Sequence, residues 1–271
     1  MAWRMLSLNN ALSYLNISKN KVNSKGETRV IWYIEDKNPL MKGMMLVCGR
    51  YSLFTDYTLL IERFNIEEAT IDEAEYSASY NVAPSQEVVA IVNDGNKNRL
   101  GKLRWGLIPP WAKDAKIGYK MINARSETAA EKPSFRNAFK KKRCLVVADS
   151  FYEWQRKDGE KIPMRIKLKT GEPFAFAALW ESWKAPDGKT INSCSILTTG
   201  PNALMESIHD RMPVILSKED EKIWLDPRVD DVDILKSLLK PYKAEDMEAY
   251  RISEEVNSPK NNKPELIEKV G

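Results

Sequence analysis

The stretch FYEWQRKDGEKIPMRIKL, at residues 151–168, decides the fold. Its two ends, residues 151–155 and 163–168, have the composition of short strands. Asp158-Gly159 lies between them, and this dipeptide favours a tight hairpin turn because both residues tolerate positive φ angles. The stretch therefore predicts two antiparallel strands that are joined at this turn.

The same pattern extends outward along the chain. A second hairpin is predicted where residues 174–183 and 191–199 flank Asp187-Gly188. Other short apolar runs predict strands at residues 30–34, 46–54, 88–92, 100–108, 144–148 and 214–216. Capping residues before spaced apolar positions predict helices from Thr55 to Phe64, from Ser126 to about Lys140 with a break near Pro133, and at 202–208, 217–225 and 232–239. Together they predict an α+β domain with a curled, barrel-like, mostly antiparallel sheet flanked by helices.

Length and composition limit the class of protein. The chain has 271 residues, 43% of them hydrophobic, which is enough for one sizeable core or for two domains. Its 42 basic and 38 acidic residues give a net charge of +4, which is compatible with an anionic partner without identifying one. Neither a secretory signal nor an apolar run of the roughly 18 residues that span a membrane is present. We therefore expect a cytoplasmic protein without membrane association.

Few residues can carry metal or nucleophilic chemistry. The cysteines are Cys48, Cys144 and Cys194, an odd number without paired spacing, which argues for a reducing compartment rather than a disulfide framework. His209 is the only histidine, at a junction between a predicted helix and a predicted strand. Because paired cysteine or histidine spacing is lacking, we expect no metal site and no cofactor.

Aromatic motifs admit both a structural and a functional interpretation. Glu153 lies among aromatic residues, so it is either an acid or base near neutral pH or a sheet residue whose carboxylate reaches solvent. Trp105 and Trp111 flank a proline turn, and they are either core residues or a stacking platform for bases.

Two polar motifs also admit more than one interpretation. Asn123 and Arg125 precede a predicted helix, where phosphate binding is favourable, whereas capping is the better explanation for Ser126. The basic run at residues 140–143 is more often a solvated face than a DNA contact. Taken singly, none of these motifs decides the function.

Six motifs in one order point to a family. They are Cys48-Gly49-Arg50-Tyr51, Tyr80-Asn81-Val82-Ala83-Pro84, residues 105–111, Asn123-Ala124-Arg125-Ser126-Glu127, residues 149–154 and His209-Asp210-Arg211-Met212-Pro213. Together they resemble the SOS response-associated peptidase family, also called abasic site processing proteins. The resemblance runs from Cys48 to about Glu268, and it implies a single domain at residues 48–271 that acts in the response to DNA damage.

The resemblance implies covalent chemistry at Cys48. An abasic site exposes an aldehyde at sugar carbon C1′, which an N-terminal cysteine captures in this family. The α-amine forms a Schiff base, and the thiol then closes a five-membered thiazolidine ring; Schiff-base chemistry also allows strand cleavage of the lyase type. An α-amine has a pKa of about 7.7–8.0, so part of it is neutral at pH 7. Because both nucleophiles belong to one residue, the second bond forms intramolecularly.

The resemblance also assigns roles to matching positions. Asn123 is expected to hold the abasic sugar, Glu153 to act as acid and base, and His209 to stabilise the abasic site and the Schiff-base step. Residues expected along the DNA path are Arg50, Arg125 and Arg211, which would pair with phosphates, and Pro84, Trp105 and Trp154, which would line the channel. The implied partner is single-stranded DNA with an abasic site, beside a junction with duplex DNA, bound by a monomer.

The start of the chain departs from the family pattern. Residues 1–47 precede Cys48, which therefore has no free α-amine as the sequence is written. Self-processing could remove a leader, or the written start could be wrong. We prefer the second explanation, because Val47 can be encoded by the bacterial start codon GTG and Lys42-Gly43 by a sequence that resembles a ribosome-binding site.

Two other functions compete with covalent capture. In a cysteine-histidine peptidase, Cys48 would attack a peptide carbonyl, with His209 as base and Glu153 orienting it; this needs no free amine and fits self-processing. A non-covalent single-stranded DNA binder would use only the basic and aromatic residues.

Overall fold

The computed structural model describes residues 49–271, together with the backbone of two short strands before them. The chain divides into two compact units, Met1–Leu46 and Val47–Gly271. In the first unit β1 (Lys21–Val22) pairs antiparallel with β2 (Thr28–Arg29). The predicted strand at residues 30–34 and the candidate nucleophile Cys48 lie outside the described residues.

The second unit consists mainly of strands. In chain order they are β3 (Tyr51–Leu53), β4 (Glu68–Ala69), β5 (Ser79–Val82), β6 (Glu87–Asn93), β7 (Asn98–Trp105), β8 (Asn123–Arg125), β9 (Arg143–Ala148), β10 (Ser150–Lys157), β11 (Glu160–Leu168), β12 (Phe174–Lys184), β13 (Thr190–Thr199), β14 (Met212–Pro213) and β15 (Met247–Arg251). The α-helices are α1 (Tyr57–Arg63), α2 (Ser126–Ala129), α3 (Arg136–Lys141), α4 (Lys218–Leu225) and α5 (Val232–Ser237). Short 3-10 helices lie at Ala115–Lys120, Ala244–Asp246, Glu254–Asn257 and Pro264–Ile267. None of the helices among residues 49–271 is long and apolar enough to cross a membrane.

Five strands close into a barrel. The order β13-β12-β9-β6-β7 is antiparallel throughout, and a parallel pairing of β7 with β13 completes the ring. This closure pairs Arg104 with Ser193 and Trp105 with Cys194. Strands β4, β8 and β14 extend the sheet from β7 and β13. The prediction of an α+β fold with a barrel-like sheet is confirmed.

The other sheet is open and has five strands. Its order is β15-β11-β10-β3-β5, and every neighbouring pair is antiparallel. The predicted hairpin at residues 151–168 forms its centre as β10 and β11. Asp158 and Gly159 take the turn with φ angles of 52° and 84°, as the dipeptide requires.

Large side chains fill the interior around the barrel. Trp105 is 1% exposed, and its indole N–H donates to the carbonyl of Ile122 at 2.9 Å. Its ring centroid lies 5.5 Å from that of Tyr51. Cys144 and Cys194 are completely buried free thiols, and burial raises the pKa of both well above its usual value. Neither thiol is therefore suited to act as a nucleophile in the folded chain.

Residues 254–271, called the C-terminal segment below, lie against the open sheet. Arg50 Nη1 donates to the carbonyl of Val256 at 2.8 Å, and Arg165 Nη1 donates to the carbonyl of Ile267 at 3.1 Å. A small apolar cluster lies beneath the segment and contains Tyr152, Ile252, Val256 and Leu266. The segment therefore covers side chains of β10 that would otherwise face solvent.

Two glycines close the base of the loop that follows β7. Gly106 has a φ of 127°, a conformation that residues with a Cβ rarely adopt. A Cβ on Gly106 would lie 2.7 Å from the carbonyl oxygen of Gly118, and a Cβ on Gly118 would lie 2.6 Å from that of Gly106. Only glycine at both positions allows the two backbones to approach this closely. We call residues 106–118 the Trp111 loop.

Two helix predictions need correction, and a third, the helix from Ser126 with its break near Pro133, is confirmed. The first helix is capped by Asp56, whose side chain accepts from Thr58 N–H, and not by Thr55. The helix predicted from Ser126 forms as two short helices, α2 and α3, with Pro133 between them. Residues 202–208 form turns rather than a helix.

The remaining helix predictions are confirmed. Ser217 caps α4, since its hydroxyl accepts from Asp220 N–H at 3.1 Å. Helix α5 occupies most of the segment predicted at residues 232–239.

Candidate functional site

His209 lies in a tight turn between residues 202–208 and β14. Its side chain is 15% exposed, and its Nδ1 lies 3.1 Å from the backbone nitrogen of Arg211 and 2.9 Å from Asp210 Oδ1. Nδ1 cannot serve both partners in one state, because it needs a lone pair for the Arg211 N–H and a proton for the carboxylate. The Asp210 side chain is 74% exposed, so water competes for it. We therefore assign Nδ1 as the acceptor, and the neutral ring carries its proton on Nε2.

Asn123 and Glu153 occupy strands of the two different sheets. Asn123 begins β8, which pairs parallel with β13 and leads directly into α2. Glu153 lies in the middle of β10 and is only 2% exposed. This burial overturns the alternative that its carboxylate reaches solvent.

Two hydrogen bonds connect the His209 turn to β10 and to β13, the neighbour of β8. Gln155 Nε2 donates to the carbonyl of Ser207 at 2.9 Å, and both residues lie two positions from a candidate site residue. On the other side, Arg211 Nη2 donates to the carbonyl of Thr198 at 2.6 Å, and Thr198 pairs with Arg125 of β8.

Two residues of a strand span about 7 Å, so these bonds hold Asn123, Glu153 and His209 in one neighbourhood. The structure thus brings together the described members of the predicted site.

Arg211 is bound by protein groups on several sides. Its Nη1 and Nη2 form a bidentate ion pair with Glu127, at 2.6 and 2.9 Å. The hydrogen bonds from this guanidinium group are the main cause that lowers the pKa of the Glu127 carboxyl below its usual value. Arg125, in contrast, has an exposed side chain, which suits contact with a phosphate better.

Arg50 is also bound by other groups of the protein. Its Nη1 donates to Asn81 Oδ1 at 2.8 Å, while the amide group of Asn81 donates to the carbonyls of Ser258 and Asn261 at 3.0 and 2.8 Å. Asn81 is 2% exposed. A buried side chain thus links Arg50 to the C-terminal segment.

Trp154 follows Glu153 but lies on the opposite face of the strand. Its indole N–H donates to Asn257 Oδ1 at 2.7 Å, and the Arg50 guanidinium lies 6.0 Å from its ring centroid. The ring remains partly exposed, as a residue that lines a DNA channel must be. Pro84 is partly exposed as well.

The two tryptophans of the third motif have different positions. Trp105 is enclosed in the core, so the structure gives its ring a packing role and no surface for DNA. Trp111 is 59% exposed in the Trp111 loop, and Tyr119, just after that loop, is 50% exposed. Of the two alternatives, core residue or stacking platform, Trp105 takes the first and Trp111 is available for the second.

The basic run at residues 140–143 is occupied by structural contacts. Arg143 is 5% exposed and donates to five backbone carbonyls, which belong to Phe139, Lys140, Trp224, Asp226 and Val229. Lys142 Nζ pairs with Glu181 at 2.7 Å. Arg143 therefore joins the ends of α3 and α4, and Lys142 is held by β12.

With this geometry in place, comparison with known proteins identifies the family. The sequence profile described as SOS response associated peptidase (SRAP) matches residues 47–259. The chain belongs to the SRAP family. The family that the six motifs predicted is therefore confirmed.

Curated SRAP relatives and solved structures are similar over most of this chain. Abasic site processing protein YoqW of Bacillus subtilis strain 168 is 63% identical over 223 residues, which is 82% of this chain and 99% of that protein. Abasic site processing protein HMCES of Xenopus tropicalis is 34% identical over 72% of this chain and 67% of its own length. A crystal structure of a Bacteroides thetaiotaomicron protein matches with a TM-score of 0.75 at 29% identity, over 82% of this chain and all of that one.

Several residues that hold the site in place could not be identified as such from the sequence motifs. Glu127 and Asn81 lie within quoted motifs, yet only the structure shows that they bind Arg211 and Arg50. Asn257 and Gln155 carry no motif signal, because their partners are distant in sequence or are backbone groups.

Proposed function

We propose that this SRAP chain captures abasic sites in single-stranded DNA, through a covalent thiazolidine at Cys48, and so shields the lesion during the response to DNA damage. The α-amine of Cys48 attacks the C1′ aldehyde, and loss of water gives a Schiff base. The thiol then adds to the C=N carbon, and its proton passes to the nitrogen as the ring closes. The same imine gives access to lyase-type strand cleavage.

One observation carries the proposal: hydrogen bonds connect the His209 turn to β10, which carries Glu153, and to β13, which pairs with the strand of Asn123. A buried carboxyl, a carboxamide and a neutral imidazole in one neighbourhood can move protons to and from a sugar hydroxyl and an imine nitrogen. Glu153 is the proposed acid and base, Asn123 holds the opened sugar, and His209 stabilises the Schiff-base step. The relatives YoqW and HMCES are named abasic site processing proteins, which supports an abasic site as the substrate.

DNA contact is proposed for the exposed groups around this neighbourhood. Arg125 pairs with a phosphate, while Trp154 and Pro84 line the path of the strand. Trp111 adds an exposed ring on which a base can stack. We propose that a monomer binds single-stranded DNA in this way, beside a junction with duplex DNA.

The reaction requires a free α-amine on Cys48. The match to YoqW covers 99% of that protein and 82% of this chain, and the family profile begins at residue 47. Both observations support initiation at Val47, with removal of the initiating methionine to expose Cys48. Removal of residues 1–47 by self-processing would expose the same amine.

A crosslinking experiment tests the proposed function. The protein is produced from its native gene and incubated with a single-stranded oligonucleotide that carries one abasic site, and the mixture is run on a denaturing gel. We expect a heat-stable shifted band that is lost in Cys48→Ala and retained in the matched control Cys144→Ala, because Cys144 is buried. Peptide hydrolysis without a band would identify a cysteine peptidase, and salt-sensitive native binding alone a non-covalent binder.

A second experiment tests the start of the chain. Intact-mass measurement of the protein from its native gene should give a chain that begins at Cys48. A chain that begins with methionine in place of Val47 should crosslink once the methionine is removed. Retention of residues 1–47 in a protein that nevertheless forms the heat-stable band would contradict the requirement for the α-amine.

A further inference from the structure

Arg211 connects an exposed carboxylate to the His209 turn. Its guanidinium binds Glu127 in a bidentate ion pair at 2.6 and 2.9 Å and also donates to the carbonyl of Thr198 at 2.6 Å. Bidentate arginine–carboxylate pairs fix orientation as well as position. The side chain is only 14% exposed, so little of it remains for an external ligand.

The backbone of the same residue contacts the imidazole. Arg211 N–H donates to His209 Nδ1 at 3.1 Å, in competition with the Asp210 carboxylate 2.9 Å from that nitrogen. When Nδ1 accepts from the Arg211 N–H, the proton of the neutral ring is on Nε2. When Nδ1 carries the proton instead, it donates to the Asp210 carboxylate. The partner of one ring nitrogen thus decides which nitrogen bears the proton.

We infer that Glu127 is a positioning residue for His209: by holding the Arg211 side chain, it keeps the Arg211 N–H on Nδ1 and the proton of the neutral imidazole on Nε2. Glu127 touches neither the imidazole nor, in the proposed reaction, the sugar. Its consequence for catalysis rests on the proposed function, whereas its effect on the imidazole does not.

Because Glu127 is half exposed, its role in positioning His209 can be tested separately from any role in stability. Its side chain is 50% exposed at the start of α2, and an exposed ion pair contributes at most about 1 kcal/mol to stability. We therefore expect a variant to fold. Glu131 provides a matched control, because it is an exposed glutamate whose carboxylate pairs instead with Lys236, at 3.3 Å.

Since His209 is the only histidine, its ring nitrogens can be observed without assignment ambiguity. Long-range ¹H–¹⁵N spectra of the free protein, at a pH where the ring is neutral, distinguish a proton on Nε2 from one on Nδ1. We expect the Nε2–H form in the native chain and in Glu131→Gln, and a substantial Nδ1–H population in Glu127→Gln. Adding Asp210→Ala to Glu127→Gln should restore the Nε2–H form, because the competing acceptor is gone.

Crosslinking rates provide the second measurement. General acid–base catalysis contributes about 10²–10⁴-fold, so partial loss of the correct imidazole form should slow capture by roughly tenfold. A Glu127→Gln protein with an unchanged imidazole spectrum, or a Glu131→Gln protein with the same change, would overturn the inference. If the spectra change as expected but the native chain never crosslinks, the proposed function fails and the positioning role stands.

Discussion

The closed barrel and the open sheet of the second unit are stabilised in different ways. Each barrel strand has a neighbour on both sides, so its backbone groups are paired within the ring, and apolar side chains fill the interior. The open sheet instead buries polar groups, among them Arg165 and Asn81, whose partners lie in the distant C-terminal segment. The barrel depends mainly on packing, and the open sheet depends in addition on individual hydrogen bonds to the C-terminal segment that a single substitution can remove.

The largest effect is expected in the barrel. Trp105→Ala should lower the free energy of unfolding by about 3–5 kcal/mol, since it opens a cavity and removes the buried hydrogen bond from the indole N–H to the carbonyl of Ile122. Urea denaturation measures the loss. Trp111→Ala is the matched control, and its exposed ring predicts almost no change. Equal losses in both variants would contradict the assignment of Trp105 to the core.

An intermediate effect is expected where the open sheet meets the C-terminal segment. Asn81→Ala should cost about 1–3 kcal/mol, because Arg50 and two carbonyls lose a buried partner. Proteolysis within the C-terminal segment should become faster, while Cys144 and Cys194 stay protected from thiol reagents in a Cys48→Ser background.

Asn96→Ala, in the exposed turn between β6 and β7, serves as the control for that variant. If Asn81→Ala exposed the two buried thiols as readily as the C-terminal segment, the barrel and the open sheet would be one cooperative unit, and the comparison would fail.

The smallest effect is expected at the partly exposed Trp154. Asn257→Ala removes one hydrogen bond, so stability should change by about 1 kcal/mol or less. The indole N–H resonance of Trp154 should shift, and affinity for single-stranded DNA should fall severalfold, because the ring is no longer fixed. Asn257→Gln retains a neutral acceptor and should behave like the native chain; an equal loss of affinity there would contradict the role of this hydrogen bond in fixing the ring.

The hairpins were predictable because their signals are local. Asp158-Gly159 and Asp187-Gly188 lie between strand-like runs, and the positive φ angles that hairpin turns need are present at both glycines. The parallel pairing that closes the barrel was not predictable. It joins Trp105 to Cys194, which are far apart in sequence, and neither residue specifies the other.

The incorrect helix at residues 202–208 shows how tertiary contacts override local preference. Asn202 does cap this segment, because its Oδ1 accepts from Met205 N–H at 3.0 Å. The carbonyl of Ser207, however, accepts from Gln155, and His209 must turn to accept from Arg211. The helical pattern therefore ends after separate turns, and the interruption places the imidazole beside the two strands.

For the site itself, sequence identified residue types and motif order but not the bonds between motifs. The resemblance named Asn123, Glu153 and His209 and the family, which is confirmed, whereas their roles remain proposals. It grouped both arginines of the later motifs as phosphate contacts, but the structure shows Arg211 held by Glu127. Such pairings depend on the geometry of two segments at once, and neither segment alone encodes them.

The close approach of Gly106 and Gly118 has a consequence for how this chain can diverge. Because each glycine would clash with the backbone of the other, no compensating change in a side chain can rescue a substitution at either position. The exposed residues between them, among them Trp111, carry no such restriction, whereas Leu107 and Ile108 are buried in the core. Evolution or engineering can therefore exchange the exposed tip of this loop, including Trp111, and so change what the surface binds while the barrel beneath it is inherited intact.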